Sequence, residues 1–229
     1  SQRSSQRSTK DDSDEYDGPT PRVAFSNSAI PESGKEAIKF LKKHGASVVE
    51  SVNEYCNILC VKPNHLVKTM KLLQAIALGI PIVTDKWLLS SAKAGHFIPL
   101  RPFIPSAPAQ EAAWSFSLAR IWAQPQTHLF AGYTMHFTPA LKATYKAFAE
   151  IEQVCKAAGA RRVVSKKAAG KDGDGADTVV LASEEGDLDA EVLLERGRAV
   201  FSKDFLTNSI LRGEVDLQSE EFRIKGVKA

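Results

Sequence analysis

The sequence predicts an α/β protein built from two tandem units, each a small central parallel sheet flanked by helices, joined by a helical linker. Three observations carry this. Thr69 to Gly79, Ile80 to Thr84, then Trp87-Leu88 and Gly95 read as helix, strand, helix; 118 positions later, Asp187 to Gly197, Arg198 to Ser202, then Phe205-Leu206 and Gly213 read the same way. The pairs 79/197, 87/205 and 95/213 keep one offset, the mark of a duplicated unit. Short apolar runs alternate with helical patterns through short connections, which implies a sheet with helices packed against it. Finally, 229 residues with 43% apolar content suffice for two domains of about 100 residues, each with its own core.

Residues 1–20 are polar and charged and are expected to be disordered, with order beginning near Pro21. In the first unit, 21–103, Val23-Ala24-Phe25 reads as a buried strand. Ser33 with Glu36 three residues on reads as a capping box, opening a helix with Ile38 and Leu41 inward and Gly45 as its stop. Ser47 to Val52 and Asn57 to Val61 read as strands. A helix from Met70 to Leu78 ends at Gly79, Ile80 to Val83 is a strand, and Asp85 caps a helix carrying Trp87, Leu88 and Ala92. Prolines 102, 105 and 108 mark a linker, 104–127. Within it Trp114, Leu118, Ile121 and Trp122 form one apolar helix face, which predicts packing against one or both units.

In the second unit, 128–222, Leu129 to Phe137 reads as a strand and Thr138-Pro139 as an N-cap with proline at the first helical position. Leu141, Tyr145, Phe148, Glu152 and Cys155 follow at helical spacing until Gly159. Arg161 to Ser165 and Thr178 to Ala182 are strands, separated by a polar, glycine-rich loop, and 223–229 reads as a tail.

The remaining signals exclude more than they assign. A net charge of +3 does not by itself argue for nucleic acid. Cys56, Cys60 and Cys155 lack metal-ligand spacing and read as reduced core thiols. The five histidines are scattered, with no triad or metal cluster, so neither an enzyme nor a metal or cofactor site is expected. Gly170, Gly173 and Gly175 match no phosphate-binding loop pattern. Arg161, Arg162, Lys166, Lys167 and Lys171 form a basic run, but Asp172, Asp174 and Asp177 follow at once and favour a solvated surface. No apolar run approaches a membrane span. There is no signal-peptide pattern, and the lack of an initiator Met reads as an excerpt of a longer chain. Ser1-Gln2 and Ser5-Gln6 have the form of damage-kinase targets.

Gly45-Ala46, Thr69-x-Lys71, Gly79-Ile80-Pro81-Ile82-Val83 and Trp87-Leu88 with Gly95 together resemble the breast-cancer-susceptibility C-terminal (BRCT) repeat. Gly159-Ala160, Gly197, Phe205-Leu206 and Gly213 match it again in the second unit, with Phe205 in the usual tryptophan place. The resemblance covers about residues 21–222. The linker and the long polar loop are similar to the terminal pair of fungal multi-BRCT scaffolds, which bind the phosphorylated tail of histone 2A. The resemblance implies a non-enzymatic phosphopeptide reader in DNA-damage signalling, nuclear and chromatin-associated, without cofactor, membrane or direct nucleic-acid contact. The partner is then a phosphorylated protein, and the chain is expected to be a monomer.

Carried over residue by residue, the resemblance places phosphate binding on Ser26, Asn27 and Lys71: a hydroxyl, a backbone N–H and a cation for a ligand with nearly two negative charges. The family usually has Gly where Asn27 stands, and Ser28 competes with Ser26 as the hydroxyl. A helix start at Thr69 puts Lys71 in the first turn, where the dipole also favours an anion; a start at Asn64 puts it in mid-helix. Lys68, Thr69 and Lys203 are candidates for the peptide groove, Lys68 reading equally as a solvated lysine. In the second unit the sequence register sets Phe130-Ala131-Gly132 against Phe25-Ser26-Asn27 and Asp189 against Lys71, which predicts a single phosphate site. The competing readings are a phosphorylation-independent scaffold and, through the basic loop, a DNA-binding module.

Overall fold

A computed structural model of the chain describes residues 14–167 and 175–225. The first unit runs β1 (Arg22–Ser26), α1 (Ile30–Ser33), α2 (Lys35–Lys43), β2 (Ser47–Val48), β3 (Ile58–Val61), α3 (Met70–Leu78), β4 (Ile82–Thr84) and α4 (Asp85–Ala94). The linker holds a 3-10 turn (Arg101–Phe103), α5 (Pro108–Trp114) and α6 (Leu118–Ile121). The second unit runs β5 (Thr134–Phe137), α7 (Pro139–Thr144), α8 (Phe148–Ala157), β6 (Arg162–Val164), β7 (Thr178–Ala182), α9 (Leu188–Glu195), β8 (Val200–Ser202) and α10 (Lys203–Arg212). The sheets have the orders β2-β1-β3-β4 and β6-β5-β7-β8, and every pairing between named strands is parallel. This is the α/β tandem architecture that the sequence predicts.

Buried on both faces, the central strands need apolar side chains throughout, and β3, Ile-Leu-Cys-Val, is buried at every position. One apolar core runs through both units. It takes in Leu72, Leu73 and Ile76 of α3, Ile151, Val154 and Cys155 of α8, and Leu206, Ile210 and Leu211 of α10. Leu118 and Ile121 of the linker join it, and Trp122 Nε1 donates to the Ile82 carbonyl at 2.8 Å. Gln74 Nε2 donates to Gln153 Oε1 at 3.1 Å across the same seam. The linker residues thus hold the units together, as their apolar face predicts.

Several boundaries differ from the sequence reading, each for a local reason. Ser33 does not cap α2, because a turn of helix ends at Ser33, whose hydroxyl donates back to the Ala29 carbonyl at 2.8 Å. Gly34 takes the cap position, and Glu36 pairs with Lys39 instead. The linker helix is broken at Ser115, in the left-handed conformation, so that Phe116 stacks on Trp114 at 5.8 Å and Glu111 accepts from the Leu118 N–H. The expected helix after Pro139 is likewise two, divided at the extended Tyr145, which packs with Phe148 around Phe137. Thr84 rather than Asp85 stands at the N-cap of α4.

Order begins before Pro21. Tyr16 N donates to the Phe97 carbonyl at 2.8 Å, and its ring meets the buried Trp87 edge-on. At the other end, residues expected to be tail pair with β8: Arg223 bridges Phe201 in antiparallel sense, and Ile224 N donates to the Val200 carbonyl. The Ser-Gln pairs at the N-terminus and the aspartates and glycines of 168–174 lie outside the described residues.

Candidate functional site

Ser26 ends β1, and α3 starts beside it. Thr69 is the N-cap of α3, its side chain accepting from the Leu72 N–H at 3.1 Å. The helix therefore starts at Thr69 and not at Asn64, and Lys71 lies in the first turn. The same Thr69 hydroxyl shares a hydrogen bond with Ser26 Oγ at 2.7 Å. Lys71 Nζ reaches back to the end of β1 and donates to the Phe25 carbonyl at 3.0 Å. A hydroxyl, an ammonium and the positive end of a nine-residue helix converge on one strand end.

Asn27 next turns the chain, with φ at 50°. That left-handed conformation costs most L-residues about 1–2 kcal/mol and is adopted readily by Gly and, among the others, by Asn. Asn27, where the resemblance expects a glycine, thus takes a conformation that glycine also adopts readily. Ser28 is committed elsewhere: its hydroxyl accepts from the Ile30 N–H at 3.1 Å and lies beside the buried Asp85 carboxyl. Burial pushes that carboxyl up from the ordinary range, and the Ser28 hydroxyl and Ala29 backbone oppose the shift. Ser26 is left as the hydroxyl of the site.

The groove candidates separate. Thr69 belongs to the site as its cap. Lys68 turns away from Lys71 and sets its ammonium 5.0 Å above the Trp114 ring, facing Asp204 and Arg212. Burial lowers its pKa, Asp204 works against this, and Arg212 adds to it. Lys203 opens α10 and lines a cleft of the second unit with Leu141, Thr144, Ser183 and Glu184. The structure thus joins Ser26, Thr69 and Lys71, while Lys68 faces the seam where α3 packs against α10.

The second unit is an internal control, but in a different register from the one the sequence suggests. Phe130, Ala131 and Gly132 precede β5 in a turn, so they are not the counterparts of Phe25, Ser26 and Asn27. The strand pairings decide the matter: Phe25 stands opposite Cys60 as Phe137 stands opposite Leu181. The counterpart of Ser26 is therefore Thr138, and that of Asn27 is Pro139. The hydroxyl survives, but Thr138 Oγ1 donates to Asp187 Oδ2 at 2.5 Å, and Asp187 is the N-cap of α9 where Thr69 caps α3. Asp187 also accepts from the Ser183 and Ala190 N–H groups. At this strand end, Pro139 lacks an N–H, Asp187 is a buried carboxylate, and Asp189 stands where Lys71 does. All three features oppose an anion.

Residues 22–92 match the family described as the BRCA1 C Terminus (BRCT) domain. Mediator of DNA damage checkpoint protein 1 of Rattus norvegicus is 32% identical over 136 residues, 59% of this chain and 10% of that protein. DNA damage response protein Mdb1 of Schizosaccharomyces pombe is 27% identical over 187 residues, 81% of this chain and 28% of that protein. This chain thus spans a small part of these relatives. Among solved structures, the BRCT5-BRCT6 domains of S. pombe Brc1 superpose with a TM-score of 0.69 at 22% identity, covering 88% of this chain and 96% of that one. The complex of Rtt107p with phosphorylated histone 2A gives 0.63 at 12% identity, covering 91% and 94%. Residues 22–92 thus match the BRCT domain, and the two units together have the fold of a tandem BRCT pair.

Proposed function

We propose that this chain is a non-enzymatic phosphopeptide-binding module of a nuclear, chromatin-associated DNA-damage-response protein, and that its ligand is the phosphorylated tail of histone 2A. The observation that carries this reading is the convergence of Ser26, Asn27 and Lys71 at the N-terminus of α3, against a second unit in which the same positions hold a threonine tied to a carboxylate, a proline and an aspartate. In the bound state Ser26 Oγ and the Asn27 N–H donate to phosphate oxygens, and Lys71 exchanges the Phe25 carbonyl for the phosphate. Thr69 holds the Ser26 hydroxyl in place. The histone assignment is supported by the shared fold with Rtt107p, solved with phosphorylated histone 2A, and by relatives named for the DNA-damage response.

The test is calorimetric titration with three peptides: the phosphorylated histone tail, its unphosphorylated form and an unrelated phosphoserine peptide. Each charge-assisted hydrogen bond is worth about 1.5–3 kcal/mol, so the phosphorylated tail binds at least tenfold tighter than the unphosphorylated one, and Lys71→Met removes about that factor. Equal binding of the phosphorylated and unphosphorylated tails refutes phosphate recognition. Equal binding of both phosphopeptides leaves phosphate recognition standing and refutes the histone assignment.

A further inference from the structure

Within the chain, α3 of the first unit packs against α8 and α10 of the second. The duplication provides the counterparts of all three helices, and among the described residues those counterparts make no packing of this kind with another unit. α9 corresponds to α3; α2 and α4 correspond to α8 and α10. The alignment is fixed by Gly79 and Gly197, by Gly45 and Gly159, and by Gly95 and Gly213, each pair sharing a positive φ.

The exposed ends carry opposite charge. On α9, Leu73, Gln74 and Ala77 of the internal interface are replaced by Glu191, Val192 and Glu195, all exposed. Leu188, in the place of Met70, is 74% exposed. Arg196, which follows at the C-cap, is the cation on that edge. On α2, Gln153 and Ala157 of the internal interface are replaced by exposed Lys39 and Lys43. On α4, Asp204 and Leu211 are replaced by exposed Lys86 and Lys93, with Leu89 between them at 44% exposure. Lys39 pairs with Glu36 on its own helix, but both side chains are well exposed and such a pair is readily exchanged. One end face is therefore acidic with an apolar centre, and the other is basic with an apolar centre.

We propose that copies of this chain associate head to tail, the acidic α9 face of one copy against the basic α2 and α4 face of the next. The contact repeats between chains the packing that joins the two units within one. It departs from the monomer expected on sequence. Because the two surfaces differ, the contact is heterologous, and each added copy presents a fresh face to the next unless the rotation closes a ring, so assembly grows with concentration. Its attraction rests on exposed charges and weakens with salt.

Sedimentation velocity of the whole chain over a range of concentrations, at about 0.05 M and about 0.5 M salt, tests this. At low salt the sedimentation coefficient rises continuously with concentration; at high salt it stays at the monomer value. Glu191→Lys with Glu195→Lys abolishes the rise, and so does Lys39→Glu with Lys43→Glu and Lys93→Glu. Mixing the two variants restores it, because each reversed face then meets its complement. Circular dichroism melts establish that both variants are folded. A wild-type chain that stays monomeric at low salt, a dimer that stops growing, or a mixture that fails to regain association overturns the proposal.

Discussion

Replacing Thr69 with valine keeps the volume of the side chain and removes one oxygen. That oxygen holds two groups, the Leu72 N–H at 3.1 Å and the Ser26 hydroxyl at 2.7 Å. Loss of a threonine N-cap costs about 1 kcal/mol. Ser26 is only 7% exposed, so its hydroxyl loses a partner that water does not readily replace, which adds about 1 kcal/mol. The sum, about 2 kcal/mol, appears in urea unfolding as a lower midpoint at unchanged slope. Thr69→Ser keeps the oxygen and stays within about 0.5 kcal/mol of the wild type. The double variant with Ser26→Ala costs less than the sum of the singles by about 1 kcal/mol, because no hydroxyl is then left orphaned. Thr69→Val also frees Ser26 to rotate, so phosphopeptide affinity falls although no charge has changed. A Thr69→Val chain within about 0.5 kcal/mol of the wild type, or strictly additive costs, refutes the role given to this cap.

Gly79 and Gly197 are counterparts with φ of 69° and 73°, but a Cβ at Gly79 meets the Pro125 nitrogen at 2.5 Å while one at Gly197 has nothing within 4 Å. Gly197→Ala therefore costs the backbone strain alone, about 1–2 kcal/mol, and Gly79→Ala costs clearly more; thermal unfolding of the pair checks the order. Glu221 accepts two bonds from the Arg212 guanidinium, at 2.6 and 2.8 Å, which holds its carboxyl below the usual range. A depressed folded pKa contributes stability above the unfolded value and loses it as the pH falls. Glu221→Gln should thus cost under about 1 kcal/mol at neutral pH, since the pair is partly solvated, and nothing at an acid pH where the carboxyl is protonated in both folded and unfolded states. Parallel unfolding curves at the two pH values decide it.

The fold was legible because its signals are local. The helix stops at Gly79, Gly95, Gly197 and Gly213 all take positive φ, and the strands overlap the expected apolar runs. The Ser26, Asn27 and Lys71 trio was carried over from the family resemblance, and the structure brings Ser26 and Lys71 to one strand end beside the Thr69 cap. The bond from Thr69 to Ser26 was not legible, because it links residues 43 apart that only the sheet brings together. The second-unit register misled because a Phe followed by a small residue occurs at both Phe130 and Phe137, and only strand pairing chooses between them. The break at Ser115 escaped because helix periodicity is blind to one left-handed residue. The placement of Lys68 over Trp114 and within the field of Asp204 needed both the linker and the second unit in place.

The central claim is that phosphate is bound at the end of β1 and nowhere in the second unit. Amide chemical-shift mapping of the chain during titration with a phosphoserine peptide tests it most directly. The largest shifts are expected at Asn27 and in the first turn of α3, absent with the unphosphorylated peptide and lost in Lys71→Met. Shifts centred on Thr138, Ser183 and the start of α9, or equal shifts with either peptide, would contradict it.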